Sequence, residues 1–143
     1  MADNVPKELR TKTMRAIRSE KTKLEEIVSK ELWNRGIRFR KNVNSLYGKP
    51  DIAIKKHRVV IFIDSCFWHG CELHCRLPKS NKEYWVNKIN RNKQRDKEVT
   101  NYYQNLDWTI LRIWEHELKE NFQEVIDKIV MLIEHIKHKR HRI

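Results

Sequence analysis

The stretch DIAIKKHRVVIFID, residues 51–64, restricts the fold more than any other part of this chain. Apolar and β-branched residues flank a polar break at His57 and Arg58, the pattern of two strands joined by a turn. A turn centred on His57 and Arg58 puts Ile52, Ile54, Val59, Ile61 and Ile63 on one face. It also sets Asp51 opposite Asp64 at the open end. Carboxylates directly across from one another repel. Two readings fit such a pair: a divalent cation between them, or strand-end carboxylates in solvent. Asp51 follows GKP, a rigid entry to a strand, and Asp64 directly precedes a cysteine cluster.

The hairpin needs partners to cover its apolar face. Residues 21–35 place Leu24, Ile27, Val28 and Leu32 at helical spacing, with Gly36 as a stop. Residues 65–80 read as irregular, 81–105 as a long polar helix and 108–114, WTILRIW, as a strand. A last amphipathic helix runs over 120–137 on Phe122, Val125, Ile126, Ile129, Leu132 and Ile133. This order predicts a single α/β domain with a mixed central sheet flanked by helices. In the polar helix, Asp96 interrupts a stripe of Trp85, Ile89, Val99 and Tyr103. A carboxylate at such a position must be paired or functional.

Lys and Arg number 31 against 19 Asp and Glu, a formal net charge of +12. A balance this basic predicts an anionic partner, nucleic acid above all. The N-terminus MADNVPKELR has no apolar signal core, and no run is long enough to span a membrane. The expected setting is therefore cytoplasmic, with reduced thiols. All three cysteines lie in CFWHGCELHC, residues 66–75, with two histidines. An odd cysteine count beside histidine favours a metal over disulfides. Cys66, Cys71 and either His74 or Cys75 are the soft donors, and a tetrahedral zinc site needs one more.

A Pro-Asp opening one strand and an acid ending the next resemble the PD-(D/E)xK nuclease core. The chain departs from that pattern at Cys66, where a Lys is expected. The segments KTMRAIRSEKTKLE, LYGKPDIAI, VVIFIDSCFWHGC, YWVNKINRNKQRD and WTILRIWEHEL together resemble the very short patch repair (Vsr) endonucleases, which nick DNA at T:G mismatches. The resemblance implies a restriction-endonuclease-like fold and a magnesium-dependent nick in double-stranded DNA. Asp51 would bind Mg²⁺ directly, helped by the Ile63 carbonyl. His69 and Asp96 would manage protons. At Asp64 the family can carry a histidine, so Asp64 either ligates the ion or pairs with a neighbour. Glu25 either holds water in the ion's outer shell or is a solvated helix charge. The zinc ligands become Cys66, Cys71, His74 and His116.

Phe67 and Trp68, with Trp85 nearby, would wedge into the base stack beside the mismatch; the other reading is that Phe67 and Trp68 cap the core. Residues 1–20 would be a basic DNA-contacting segment, 21–137 the endonuclease domain and 138–143 a basic tail. A monomer is expected, with downstream repair proteins as further partners. Two other readings stand beside this one: a nuclease of the same fold with another DNA target, and a non-catalytic zinc-bearing nucleic-acid binder.

Overall fold

The computed structural model describes residues 7–66, 71 and 81–141. Helix α1 spans Lys7–Asn34, so the basic run before Lys21 continues the helix expected over 21–35. Leu24, Val28 and Leu32, at four-residue spacing, are buried, whereas Ile27 is 51% exposed. The buried stripe is therefore narrower than the sequence suggests. Gly36, at φ 87°, ends the helix. Its N–H donates to the Trp33 carbonyl and the Ile37 N–H to the Leu32 carbonyl, each at 3.0 Å. This is a Schellman closure, and its apolar contact is made by Leu32 and Ile37, both fully buried.

The sheet has four strands in the order β1–β2–β3–β4. Strands β1 (Arg40–Lys41), β2 (Ile52–Ile54) and β3 (Val59–Asp64) are antiparallel. Strand β4 (Thr109–Trp114) pairs parallel to β3, after the crossover made by helix α2 (Lys82–Asn105). Short helix α3 (Glu115–Glu120) and helix α4 (Phe122–His141) complete the described chain. The mixed sheet flanked by helices is as expected. Strand β1 and helix α3 lacked a usable pattern, and α4 continues into the segment expected as a tail.

The hairpin register corrects the sequence reading. Ile52 faces Ile61, Ala53 faces Val60 and Ile54 faces Val59, two residues out of the expected pairing. The loop is a 3₁₀ turn over Lys55–His57 closed by Arg58 in the left-handed conformation, so four residues are spent where two were assumed. Asp51 and Asp64 are thus not cross-strand partners. A slip of two leaves every side chain on its original face. Ile52, Ile54, Val59, Ile61 and Ile63 accordingly share one core with Leu24, Val28, Leu32, Leu118, Ile126, Ile129 and Ile133. On the opposite face, Ala53, Val60 and Phe62 meet Val99 and Tyr103 of α2. The sheet is covered by α1, α3 and α4 on one side and by α2 on the other. Among the described residues, no helix is long and apolar enough to cross a membrane.

The loop between β1 and β2 delivers Asp51, and Gly48 (φ 76°) lets it pass close to α2. A Cβ at Gly48 would lie 2.7 Å from Val99 Cγ1 and 3.4 Å from Phe62 Cζ. Gly48→Ala is expected to cost about 2 kcal/mol, from the left-handed backbone and from overpacking, which is about 5 °C in melting temperature. Thermal melting checks this; an unchanged melting temperature would show that the loop yields freely.

Candidate active site and metal cluster

The ends of several elements meet in a cleft of about 270 Å³. Helix α1 contributes Lys21, the β1–β2 loop Lys49 and Asp51, and the end of β3 Asp64 and Ser65. Helix α2 contributes Arg95 and Asp96, and β4 contributes Arg112. Asp51 is 8% exposed. Its Oδ2 accepts a hydrogen bond from the Ile63 N–H at 2.7 Å, which fixes the carboxylate against β3. The same residue whose carbonyl is expected at the ion thus also holds Asp51 through its amide N–H.

Glu25 stands beside Asp51. Burial, then a hydrogen bond to Asp51 and the charge of Asp51, push the Glu25 carboxyl from 4.5 up to about 7, against the opposing pull of Lys21 and Lys41. The Lys21 ammonium lies 3.8 Å from Glu25 Oε1 and 3.7 Å from Asp51 Oδ1. Two crowded carboxyl groups with a side-chain cation beside both fit a divalent ion in charge and donor type.

Asp64 and Asp96 are joined through Arg112. The Arg112 Nη1 donates to Asp64 Oδ1 at 3.0 Å and to Oδ2 at 3.2 Å. The same Nη1 is 3.7 Å from Asp96 Oδ1. Arg112 Nη2 donates to the Asp96 carbonyl at 3.2 Å, and Nε donates to Thr100 Oγ1 at 2.9 Å. The guanidinium also sits 4.6 Å above the Phe62 ring. Arg112 thereby ties α2 to the ends of β3 and β4. It is the one charge in WTILRIW, and that isolation was the signal by which the sequence could have revealed it.

A second cluster lies just beyond the strand ends. In the parallel pair, Asp64 is in register with Trp114, and Cys66 and His116 each follow two residues later. Cys66 Sγ is 3.3 Å from His116 Nδ1, and Cys71 Sγ is 3.6 Å from it. The three donor atoms lie within 4.8 Å of one another. A sulfur and a nitrogen on one tetrahedral zinc ion would be about 3.6 Å apart at ordinary Zn–S and Zn–N lengths, so the spacing fits. Both cysteines are 5% exposed. Burial, opposed by His116 and reinforced by the neighbouring Cys71, pushes the Cys66 thiol up to about 11. A thiolate there needs a cation beside it.

Three of the acids singled out from sequence, Asp51, Asp64 and Asp96, thus line one cleft, with Glu25 beside Asp51, while Cys66, Cys71 and His116 gather in another place. Trp85 is only 1% exposed, so it offers no open ring face for stacking on a base; its place at the start of the α2 stripe made it core. Phe67, Trp68, His69 and His74 lie outside the described residues. Lys21, Lys49, Arg95 and Arg112 were missed.

A family model described as DNA mismatch endonuclease Vsr matches residues 2–76. The chain is 39% identical over 129 residues to the type II nicking enzyme V.NmeDIP of Neisseria meningitidis serogroup C, an alignment covering 89% of this chain and 87% of that one. It is 41% identical over 122 residues to the type II nicking enzyme V.HpaIIP of Haemophilus parainfluenzae, covering 83% and 86%. It is 38% identical over 122 residues to the DNA mismatch endonuclease Vsr of Escherichia coli strain K12, covering 83% and 77%. The matched family residues include the hairpin, the acids at its open end and both cysteines of the second cluster. On these matches, the chain belongs to the Vsr DNA mismatch endonuclease family, and its four-stranded mixed sheet is the family's restriction-endonuclease-like domain.

Proposed function

We propose that this protein is a magnesium-dependent endonuclease that nicks one strand of double-stranded DNA at a T:G mismatch. The observation that carries the reading is the buried Asp51 with Glu25 beside it, in a cleft of a chain with net charge +12. Basic side chains attract the phosphate backbone, whereas carboxylates at the same place repel it. A protein that only bound DNA would gain nothing from them. An ion held there makes the acids useful.

Asp51 is the direct ligand in this reading, held in one rotamer by the Ile63 N–H, and Glu25 holds water of the outer shell. Magnesium supplies Lewis-acid stabilisation of the charge that develops on the phosphate, together with an activated water. Asp64, whose charge meets Arg112, sets the position of β4 and α2 rather than holding the ion. Asp96 and His69 handle protons. Phe67 and Trp68 wedge beside the mismatch, where a poorly paired step unstacks at least cost. Cys66, Cys71, His74 and His116 bind a structural zinc. The protein acts as a monomer and hands the nick to downstream repair proteins. The test is to incubate the full chain with T:G, C:G and A:G duplexes, with and without Mg²⁺, and to map the nick. Equal nicking of C:G duplex sinks the mismatch reading, and undiminished nicking in chelator sinks the ion.

The raised Glu25 carboxyl gives a pH dependence with a definite sign. An ion favours the ionised form, so cation affinity should climb as pH rises towards about 7, and level off above. In the metal-free protein, the stabilisation from protonated Glu25 is complete below pH 4.5 and is lost as pH passes about 7. The rise in melting temperature produced by Mg²⁺ should therefore be larger at pH 8 than at pH 6. Melting curves at fixed Mg²⁺ measure it, and an equal rise at both values would mean that Glu25 does not sense the ion.

A further inference from the structure

A scissile phosphate next to Asp51 needs a positive group to offset its charge, and the cleft offers four: Lys21, Lys49, Arg95 and Arg112. Arg112 is engaged by Asp64, Thr100 and the Asp96 carbonyl. Lys21 is placed differently. Its ammonium is 3.7 Å from Asp51 Oδ1 and 3.8 Å from Glu25 Oε1. Charge-assisted hydrogen bonds run near 2.7–2.9 Å, roughly, so these contacts are electrostatic attraction without short N–H donation. The side chain is 30% exposed and lines the cleft. Its position is set by the helix. Leu24, Val28 and Leu32 are buried against the sheet, which fixes the rotation of α1 and puts Lys21 one turn before Glu25 on the cleft side.

The end of β3 carries no such group. Two residues after Asp64 stands Cys66, whose sulfur belongs to the cluster with His116, 3.3 Å away. The ammonium that the related nuclease pattern draws from this strand is missing there, and α1 brings one to the same carboxylates.

We propose that Lys21 is a phosphate-contacting catalytic residue, supplied by α1 in place of the strand lysine. In the free protein it occupies the cation position between Asp51 and Glu25. When the divalent ion and DNA bind, the ammonium moves to a non-bridging oxygen of the scissile phosphate. There it donates hydrogen bonds as negative charge grows, and it keeps its proton throughout. This assignment rests on the reading of the cleft as a divalent-ion nuclease site. It has two consequences of opposite sign. Removing the ammonium clears the ion's place, so the ion binds more tightly. Removing it also deprives the phosphate of a donor, so the nick slows even with the ion saturating. A lysine that merely neutralised the carboxylates would produce the first effect alone.

The experiment uses the full chain with Lys21→Met and Lys21→Arg, and Lys128→Met as a charge control, since Lys128 is exposed on α4. Mg²⁺ binding is followed by calorimetry without DNA, and single-turnover nicking of a T:G duplex is followed at saturating Mg²⁺. Thermal melting verifies the fold of each variant. Lys21→Met should bind Mg²⁺ about 3- to 10-fold more tightly, because a positive charge adjacent to the ion has gone. It should nick about 10²-fold more slowly, the scale of losing one donor to a developing oxyanion. Lys21→Arg should recover most of the rate, and Lys128→Met should match the wild type in both measurements. Unchanged Mg²⁺ affinity in Lys21→Met would remove the ammonium from the ion's position. A wild-type rate at saturating ion, with tighter binding, would overturn the phosphate contact while leaving the nuclease reading intact. A wild-type protein that binds Mg²⁺ yet nicks no duplex would overturn the nuclease reading and the phosphate contact with it.

Discussion

Asp51→Ala is expected to bind a T:G duplex at least as tightly as the wild type and to leave both strands whole. Asp51 is the buried carboxylate nearest the Lys21 ammonium, and in the proposed function its loss removes the direct ligand for the ion. Losing about 5 kcal/mol or more of transition-state stabilisation corresponds to a rate lower by about 10⁴-fold. Binding moves the other way, because a negative charge has been taken from beside phosphate. One complication is structural. The Ile63 N–H donates to Asp51 Oδ2 at 2.7 Å, and Ala leaves that buried donor without this acceptor, at a cost of about 1–3 kcal/mol. Asp51→Asn separates the two effects, since an amide oxygen still accepts from Ile63 but carries no charge. Asp51→Asn should melt close to the wild type and be as inactive as the alanine variant. The measurements are nicking on gels, duplex binding by anisotropy and thermal melting. Nicking by Asp51→Asn within tenfold of wild type, roughly one pKa unit of free energy, would take Asp51 out of the chemistry.

The second large effect is expected at the thiol cluster. Wild-type protein should contain one tightly held Zn²⁺ per chain, and Cys71→Ser should contain none and be recovered unfolded or aggregated. Structural zinc contributes about 10–16 kcal/mol of apparent binding energy in small sites, against a net stability of about 5–15 kcal/mol for a whole domain. Loss of a ligand can therefore cost as much as the fold is worth. Cys66 carries the same expectation: with its thiol pushed up to about 11, it donates as a thiolate only when an ion displaces its proton. Cys75→Ser should be milder. Elemental analysis and melting before and after chelation test the idea; metal-free wild type that melts at the native temperature would end it.

The strands and the faces of the sheet were legible because side chains alternate along a strand. Ile52, Ile54, Val59, Ile61 and Ile63 share a face in any register shifted by two. That same insensitivity hid the true pairing, because a 3₁₀ turn with a left-handed Arg58 leaves no pattern in apolar residues. Asp51 was readable as an acid at a strand entry, and the structure buries it in the cleft. Asp64 was readable as an acid, but its partner was not. Arg112 reaches it only because β3 and β4 run parallel, a pairing between segments far apart in the chain. The burial of Trp85 was not readable from its chemistry. The rotation of α2 on the sheet, set by Ile89, Val99 and Tyr103, turns it inward. Lys21 lay in a basic run whose members look alike until the packing of α1 selects one.

The cluster beyond the sheet has a consequence for chain length. Asp64 and Trp114 are in register, and each strand reaches the cluster after the same short step, to Cys66 on one side and His116 on the other. One residue inserted into either step moves its donor by about 3.3 Å, whereas the proposed zinc would tolerate about 0.2 Å. The surface connections, such as the loop between β1 and β2 ahead of Gly48 or the bend after α2, face no such ruler. With the proposed zinc bound, insertions and deletions in this protein should therefore be accepted at those bends and refused at the two steps, so that the coordination radius of the ion would set the count of residues there.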